Sequence, residues 1–125
     1  MIIGTGIDLC EVGRIQEAIE RHGQRMLDRV FTEREVAYAE RKANRYERYA
    51  ARFAAKEAGM KALGTGWSGG LGWRDLEVTN LLSGRPTLAF HGVAAQIAQR
   101  MGVKNISLSL THTSEQAIAL VILEA

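Results

Sequence analysis

Five of the 13 glycines fall between Gly64 and Gly72, and no other stretch constrains the fold as strongly. A segment with so few side chains cannot offer a helix or strand face to a core. It must be a backbone-dominated loop that bends sharply or touches a ligand. It also divides the chain: before it, apolar residues recur mostly at helical spacing, and after it come short alternating runs.

The first half opens on one strand. Residues 2 to 9 alternate, with Ile3, Ile7 and Leu9 facing one way and Gly4, Gly6 and Asp8 the other, as in a half-buried strand. From Glu11 to about Arg21, Val12, Ile15, Ala18 and Ile19 fall at helical spacing, with Gly23 a stop or kink. Thr32 followed by Glu35 reads as a capping box opening a helix to about Arg41. A third helix, from about Arg45 to Leu63, places Tyr49, Ala50, Phe53 and Ala54 on one face and stops at Gly64.

Beyond the glycines, the spacing predicts strands at Asp75 to Thr79 and Thr87 to Phe90 around a Ser83-Gly84-Arg85-Pro86 turn. A short helix from Val93 to Met101 ends at Gly102, and Ile106 to Thr111 with Ala117 to Leu123 forms a hairpin. The expected architecture is α+β, one domain over residues 1–125, with an antiparallel-leaning sheet packed against helices. A chain of 125 residues, 46% hydrophobic and 24% charged, supports a core. It does not support a deep pocket walled by one chain alone, so a site for a large ligand calls for a second subunit.

Two carboxylates stand in costly places. Asp8 follows two glycines on its face, which leaves open space for a ligand or metal; alternatively it caps the helix starting near Glu11. Glu57 falls about 20° from Ala50 and about 40° from Phe53 around the third helix, in the apolar stripe. A carboxylate there must be paired or ligated. Lys61, four residues on, is the ordinary partner for such a pair. Taken together, Asp8, Glu57, Lys61 and the glycine-rich loop make sense as a phosphate site holding magnesium, which takes one or two carboxylates plus substrate phosphates.

Other chemistries fit less well. His22, His91 and His112 are scattered and Cys10 is alone, which disfavours zinc and excludes an internal disulfide. The Gly64-Thr65-Gly66 loop lacks the P-loop pattern. With no basic leader at the N-terminus, and with Ala117 to Leu123 as the longest apolar run, no membrane segment is expected and the cytoplasm is the expected compartment.

The formal net charge of +2 hides an uneven distribution: residues 11 to 61 hold 12 of the 16 basic residues but 9 of the 14 acidic ones. Arg14 and Arg21 align on the first helix, and Arg25 joins them if the helix survives Gly23. That stripe is either a solvated face or a docking surface for an acidic partner helix. Arg52 flanks the third helix one turn before Lys56, as a solvated charge or a phosphate partner. His112 sits at the tip of the last hairpin, where a histidine is more often solvated than catalytic.

These residues resemble a known family pattern. Gly6-Ile7-Asp8 with Arg14, Phe31-Thr32 with Glu35, Arg52-Phe53-Ala54-Ala55-Lys56-Glu57-Ala58 with Lys61 and Gly64-Thr65-Gly66, and Trp73-Arg74-Asp75-Leu76-Glu77-Val78 resemble the bacterial holo-[acyl-carrier-protein] synthases, the small group within the 4′-phosphopantetheinyl transferases. Ser109-Leu110-Thr111-His112 adds a weaker match, with Thr111 where the family usually has serine.

The resemblance implies transfer of 4′-phosphopantetheine from coenzyme A to a serine of apo acyl carrier protein, releasing adenosine 3′,5′-bisphosphate, in support of fatty acid biosynthesis. It implies Asp8 and Glu57 as Mg2+ ligands, Glu57 or a metal-held water as base, and Lys61 against the pyrophosphate. It also implies a homotrimer with sites between subunits. Arg52, Gly64, Gly66, Arg85, Pro86 and His112 then become candidates for coenzyme A contacts, and Arg14, Arg21 and Arg25 for carrier-protein contacts.

Two rival readings fit the sequence less well. Transferases that also modify polyketide or peptide-synthase carriers are generally about twice this length. An RNA-binding α+β module would need exposed strand aromatics, whereas Tyr38, Tyr46, Tyr49 and Phe53 fall in predicted helices.

Overall fold

The first strand and the longest helix lie closer together than side chains would allow. A Cβ on Gly4 would strike the carbonyl oxygen of Ala62, and one on Gly6 that of Ala58. This corrects the expectation of open space beside Asp8: the glycine face is filled by the helix backbone. The apolar alternation is reversed as well. Ile7 and Leu9 are 61% and 55% exposed, while Gly6 and Cys10 are buried.

The computed structural model describes residues 1–66 and 70–125, so the middle of the glycine-rich stretch lies outside the described residues. Strand β1 (Ile2–Glu11) leads directly into α1 (Val12–His22), followed by α2 (Gln24–Val30), α3 (Glu33–Glu40) and α4 (Arg45–Leu63). A 3-10 turn (Trp73–Asp75) precedes β2 (Leu76–Asn80), β3 (Pro86–Phe90), α5 (Gly92–Met101), β4 (Asn105–His112) and β5 (Gln116–Glu124). The α+β class stands. In place of a single sheet there are two antiparallel ones, β1-β5-β4 and β2-β3.

Helix α4 is the centre of the core. Its alanines 50, 51, 54, 55 and 58 are all buried, which lets strands and helices approach it from several sides. Tyr49 is fully buried, with its ring tilted against Phe31 at 4.9 Å and its hydroxyl donating to Glu40 at 2.7 Å. On β5, Ala117, Ala119, Val121 and Leu123 face this core, and Ile118 and Leu120 face outward.

Local signals account for the boundaries. Gly23, at φ 58°, ends α1 and starts α2, so the first helix does not continue to Arg25. The capping box forms: Glu35 N donates to Thr32 Oγ1 at 3.3 Å, and Thr32 N donates to Glu35 Oε1 at 2.9 Å. Gly64, at φ 76°, closes α4 in the left-handed conformation that favours glycine.

Candidate active site

Strand β1 carries Asp8 to the last turns of α4, where Glu57 and Lys61 project. All three line one cleft of about 460 Å³, with Arg14, Ile15, Met26 and Phe53 among its other walls. Lys61 Nζ lies 3.2 Å from Asp8 Oδ1 and donates to the Ile7 carbonyl at 3.1 Å. Asp8 therefore does not cap α1, whose N-cap Glu11 makes no side-chain capping bond. The ordinary alternative, a Glu57–Lys61 pair along the helix, gives way to a pair between helix and strand.

Glu57 is half-buried rather than enclosed in an apolar stripe. Helix α4 is covered on nearly all sides, and Phe53 and Glu57 occupy its half-open line toward the cleft. Burial, then the charge of Asp8, pushes the Glu57 carboxyl above its ordinary value, and Lys61 partly offsets this. Burial also pushes the nearby Cys10 thiol up to about 11, which keeps it protonated and unreactive at neutral pH.

Two carboxylates lining one cleft, with a lysine paired to Asp8, suit a hard divalent cation. Among the described residues no group of three or more His, Cys, Asp and Glu forms a metal cage. The donor set therefore fits an ion whose coordination is completed by water and substrate oxygens.

The arginines divide between neighbouring hollows. Arg14 lines the cleft and also a small hollow with Glu17, Arg21 and His22. Arg25, displaced onto α2, lines a cavity of about 370 Å³ with His22, Met26, Arg29 and Trp73. Met26 borders both this cavity and the cleft. Arg29 shares this cavity although no sequence signal beyond Gly23 marks it.

Other expected site residues lie apart from the cleft. Arg52 is 3% exposed, which excludes a solvated charge. Its guanidinium lies 3.7 Å from the centre of the Tyr38 ring and its Nη2 donates to Asn80 at 2.7 Å. Its Nε is buried without a hydrogen-bond partner among the described residues, and burial lowers the guanidinium pKa. It lines a hollow of about 260 Å³ with Arg34, Tyr38 and Arg41. His112, at the end of β4, meets Glu47 at 3.1 Å. Arg85 is in the β2–β3 turn, where its carbonyl accepts from Leu81 N at 2.9 Å, and Pro86 is the first residue of β3. Gly64 and Gly66 are outside the residues lining the cleft.

The sequence also left unread a buried charged pair. Lys56 and Glu35 are both fully buried and 2.8 Å apart. The capping-box signature accounted for Glu35 and concealed its second partner.

This fold has a known setting. The 4′-phosphopantetheinyl transferase superfamily matches over residues 4–121, and the chain belongs to that family of enzymes. Among its relatives, the holo-[acyl-carrier-protein] synthase of Solibacter usitatus is 63% identical over 124 residues, covering 99% of each chain. That of Koribacter versatilis is 56% identical over the same coverage. The crystal structure of the Neisseria meningitidis holo-[acyl-carrier-protein] synthase superposes with a TM-score of 0.89 at 31% identity, covering both chains fully. The Bacillus anthracis enzyme, solved in complex with CoA (3′,5′-ADP), superposes with a TM-score of 0.81 at 35% identity, covering 100% of this chain and 98% of that one.

Proposed function

We propose that this chain is a single-domain holo-[acyl-carrier-protein] synthase that moves 4′-phosphopantetheine from coenzyme A to a serine of apo acyl carrier protein. The observation that carries the assignment to this cleft is the convergence of Asp8, Glu57 and Lys61 on it, from two elements far apart in sequence.

Asp8 and Glu57 are the residues that would hold Mg2+, and the bound ion would offset the negative charge of the coenzyme A pyrophosphate. Glu57, with a raised carboxyl pKa, is suited to take the serine proton. The serine oxygen then bonds to the phosphorus bearing pantetheine, and the phosphorus–oxygen bond to adenosine 3′,5′-bisphosphate breaks. The leaving phosphate keeps the electron pair, and Lys61 stabilises it by a charge-assisted hydrogen bond. For that, Lys61 turns from Asp8 toward the phosphate. Its side chain is 53% exposed and free to do so.

The nucleotide end of coenzyme A is assigned to Arg52, Arg85, Pro86 and His112, with Gly64 and Gly66 beside the phosphates. The unpaired Nε of Arg52, in a hollow shared with Arg34 and Arg41, favours an anion there. Because these residues lie apart from the cleft of their own chain, the assignment calls for sites shared between copies. The outward face of the β1-β5-β4 sheet supports a homotrimer: Ile7 pairs with Leu120 and Leu9 with Ile118, all four exposed. The carrier protein docks on Arg14 and Arg21 of α1 and Arg25 of α2, each exposed, through its acidic helix. No described helix is long and apolar enough to cross a membrane.

The test is the mass of apo acyl carrier protein after incubation with coenzyme A and Mg2+. A gain of one phosphopantetheine that disappears with chelator supports the reading. No gain across several carriers and metals would overturn it.

A further inference from the structure

Lys56 precedes Glu57 on α4, so its side chain leaves the helix about 100° away from that of Glu57. It is fully buried, and its ammonium has three acceptors. It meets Glu35 Oε1 at 2.8 Å, donates to the Trp73 carbonyl at 3.1 Å and donates to the Leu76 carbonyl. Glu35 is held in turn, accepting from Thr32 N at 2.9 Å and Val78 N at 2.8 Å.

Stability alone does not require this arrangement, because replacing a buried ion pair with well-packed apolar side chains is often neutral or stabilising. An apolar side chain cannot, however, hold two main-chain carbonyls. Those carbonyls bracket the turn where the chain leaves the glycine-rich stretch, one on Trp73 within it and one on Leu76 at the start of β2, and that turn presents Trp73. The Trp73 ring stacks on Phe53, with centroids 4.9 Å apart and planes at 27°. Phe53 lines the Asp8–Glu57 cleft, and Trp73 lines the adjoining cavity that holds Arg25 and Arg29.

We infer that Lys56 is a positioning residue for the reaction: by holding the main chain at Trp73 and Leu76, it sets the Phe53–Trp73 wall between the catalytic cleft and the arginine-lined cavity. Lys56 touches no reacting atom in this role. It acts through Trp73, on the side where the carrier protein approaches. That last step rests on the docking surface proposed above.

The experiment compares Lys56→Met, Trp73→Leu and the double variant. Steady-state rates are measured against apo carrier protein and against coenzyme A, and Trp73 emission is read in a Trp67→Phe background. Each single variant is expected to raise the carrier KM about 5- to 10-fold while the coenzyme A KM stays within about twofold. The double variant is expected to match the larger single effect, because both changes disable one wall. Lys56→Met should also shift Trp73 emission to longer wavelength and increase its quenching by acrylamide. Additive KM effects, equal losses for both substrates, or unchanged Trp73 emission would overturn the inference. Should Lys56→Met fail to fold, Trp73→Leu decides alone, and a wild-type carrier KM there refutes it. Arg14→Glu separates the two claims: an unchanged carrier KM in that variant defeats the docking surface, while the Trp73 emission of Lys56→Met still tests the positioning role.

Discussion

Lys61 reaches across from the last turn of α4 to Asp8 on β1, 3.2 Å away, and makes no ion pair with Glu57 four residues before it among the described contacts. The helix lysine is thereby tied to a strand carboxylate, and Glu57 is left as the carboxylate without a cation of its own. That asymmetry separates the roles of three residues that share one cleft.

For Lys61, whose own side chain is half exposed, the pair with Asp8 contributes about 0–1 kcal/mol to stability. Lys61→Met is therefore expected to leave the thermal midpoint nearly unchanged. Loss of the cation facing the leaving phosphate should lower kcat on the order of 100-fold. Paired melting curves and initial rates of carrier mass gain measure both. A large stability loss with near-normal kcat would reverse the assignment.

Glu57 yields a pH prediction with a definite sign. Its carboxyl is raised in the folded state by burial and by Asp8. The folded protein thus holds this proton to higher pH than the unfolded chain, and stability falls as pH rises from the ordinary carboxylate range through the raised value. At pH 7 the ionised group is a net cost, so Glu57→Gln should raise the melting temperature while abolishing transfer. Magnesium should stabilise the wild type and not the variant. Equal metal stabilisation of both would remove Glu57 from the donor set.

Arg14 lines the cleft from α1 and is exposed. Arg14→Glu is expected to raise the carrier-protein KM about tenfold, with a larger effect at low salt and little change in the coenzyme A KM. Titrating each substrate at two ionic strengths measures this. A salt-independent loss would point to packing in place of charge steering.

The outward sheet face makes its own prediction. Leu120 sits opposite Ile7 and is 38% exposed in the isolated chain. Leu120→Glu adds a charge to the proposed subunit contact without touching the core. Light scattering should then show monomers in place of trimers, with activity lost alongside assembly. A variant that stays trimeric, or a fully active monomer, would contradict shared sites.

Much of this was legible from short-range order. Helices α3, α4 and α5 and the final hairpin follow from caps, stops and periodicity, because those signals act within a few residues along the backbone. The metal-site candidates were legible for a similar reason: carboxylates placed where they cost energy stand out in a sequence.

Tertiary contact decided the rest. The alternation in β1 identified two faces but could not say which is buried, since Gly4 and Gly6 show their purpose only when the Ala58 and Ala62 carbonyls arrive beside them. Glu35 and Lys56 are 21 positions apart, and no local rule foretells that they meet inside the core or that Lys56 holds Trp73. Lys61 had two carboxylates available, one on its own helix and one on a distant strand. Helical spacing favoured Glu57, and the close approach of β1, made possible by two glycines, gave the contact to Asp8.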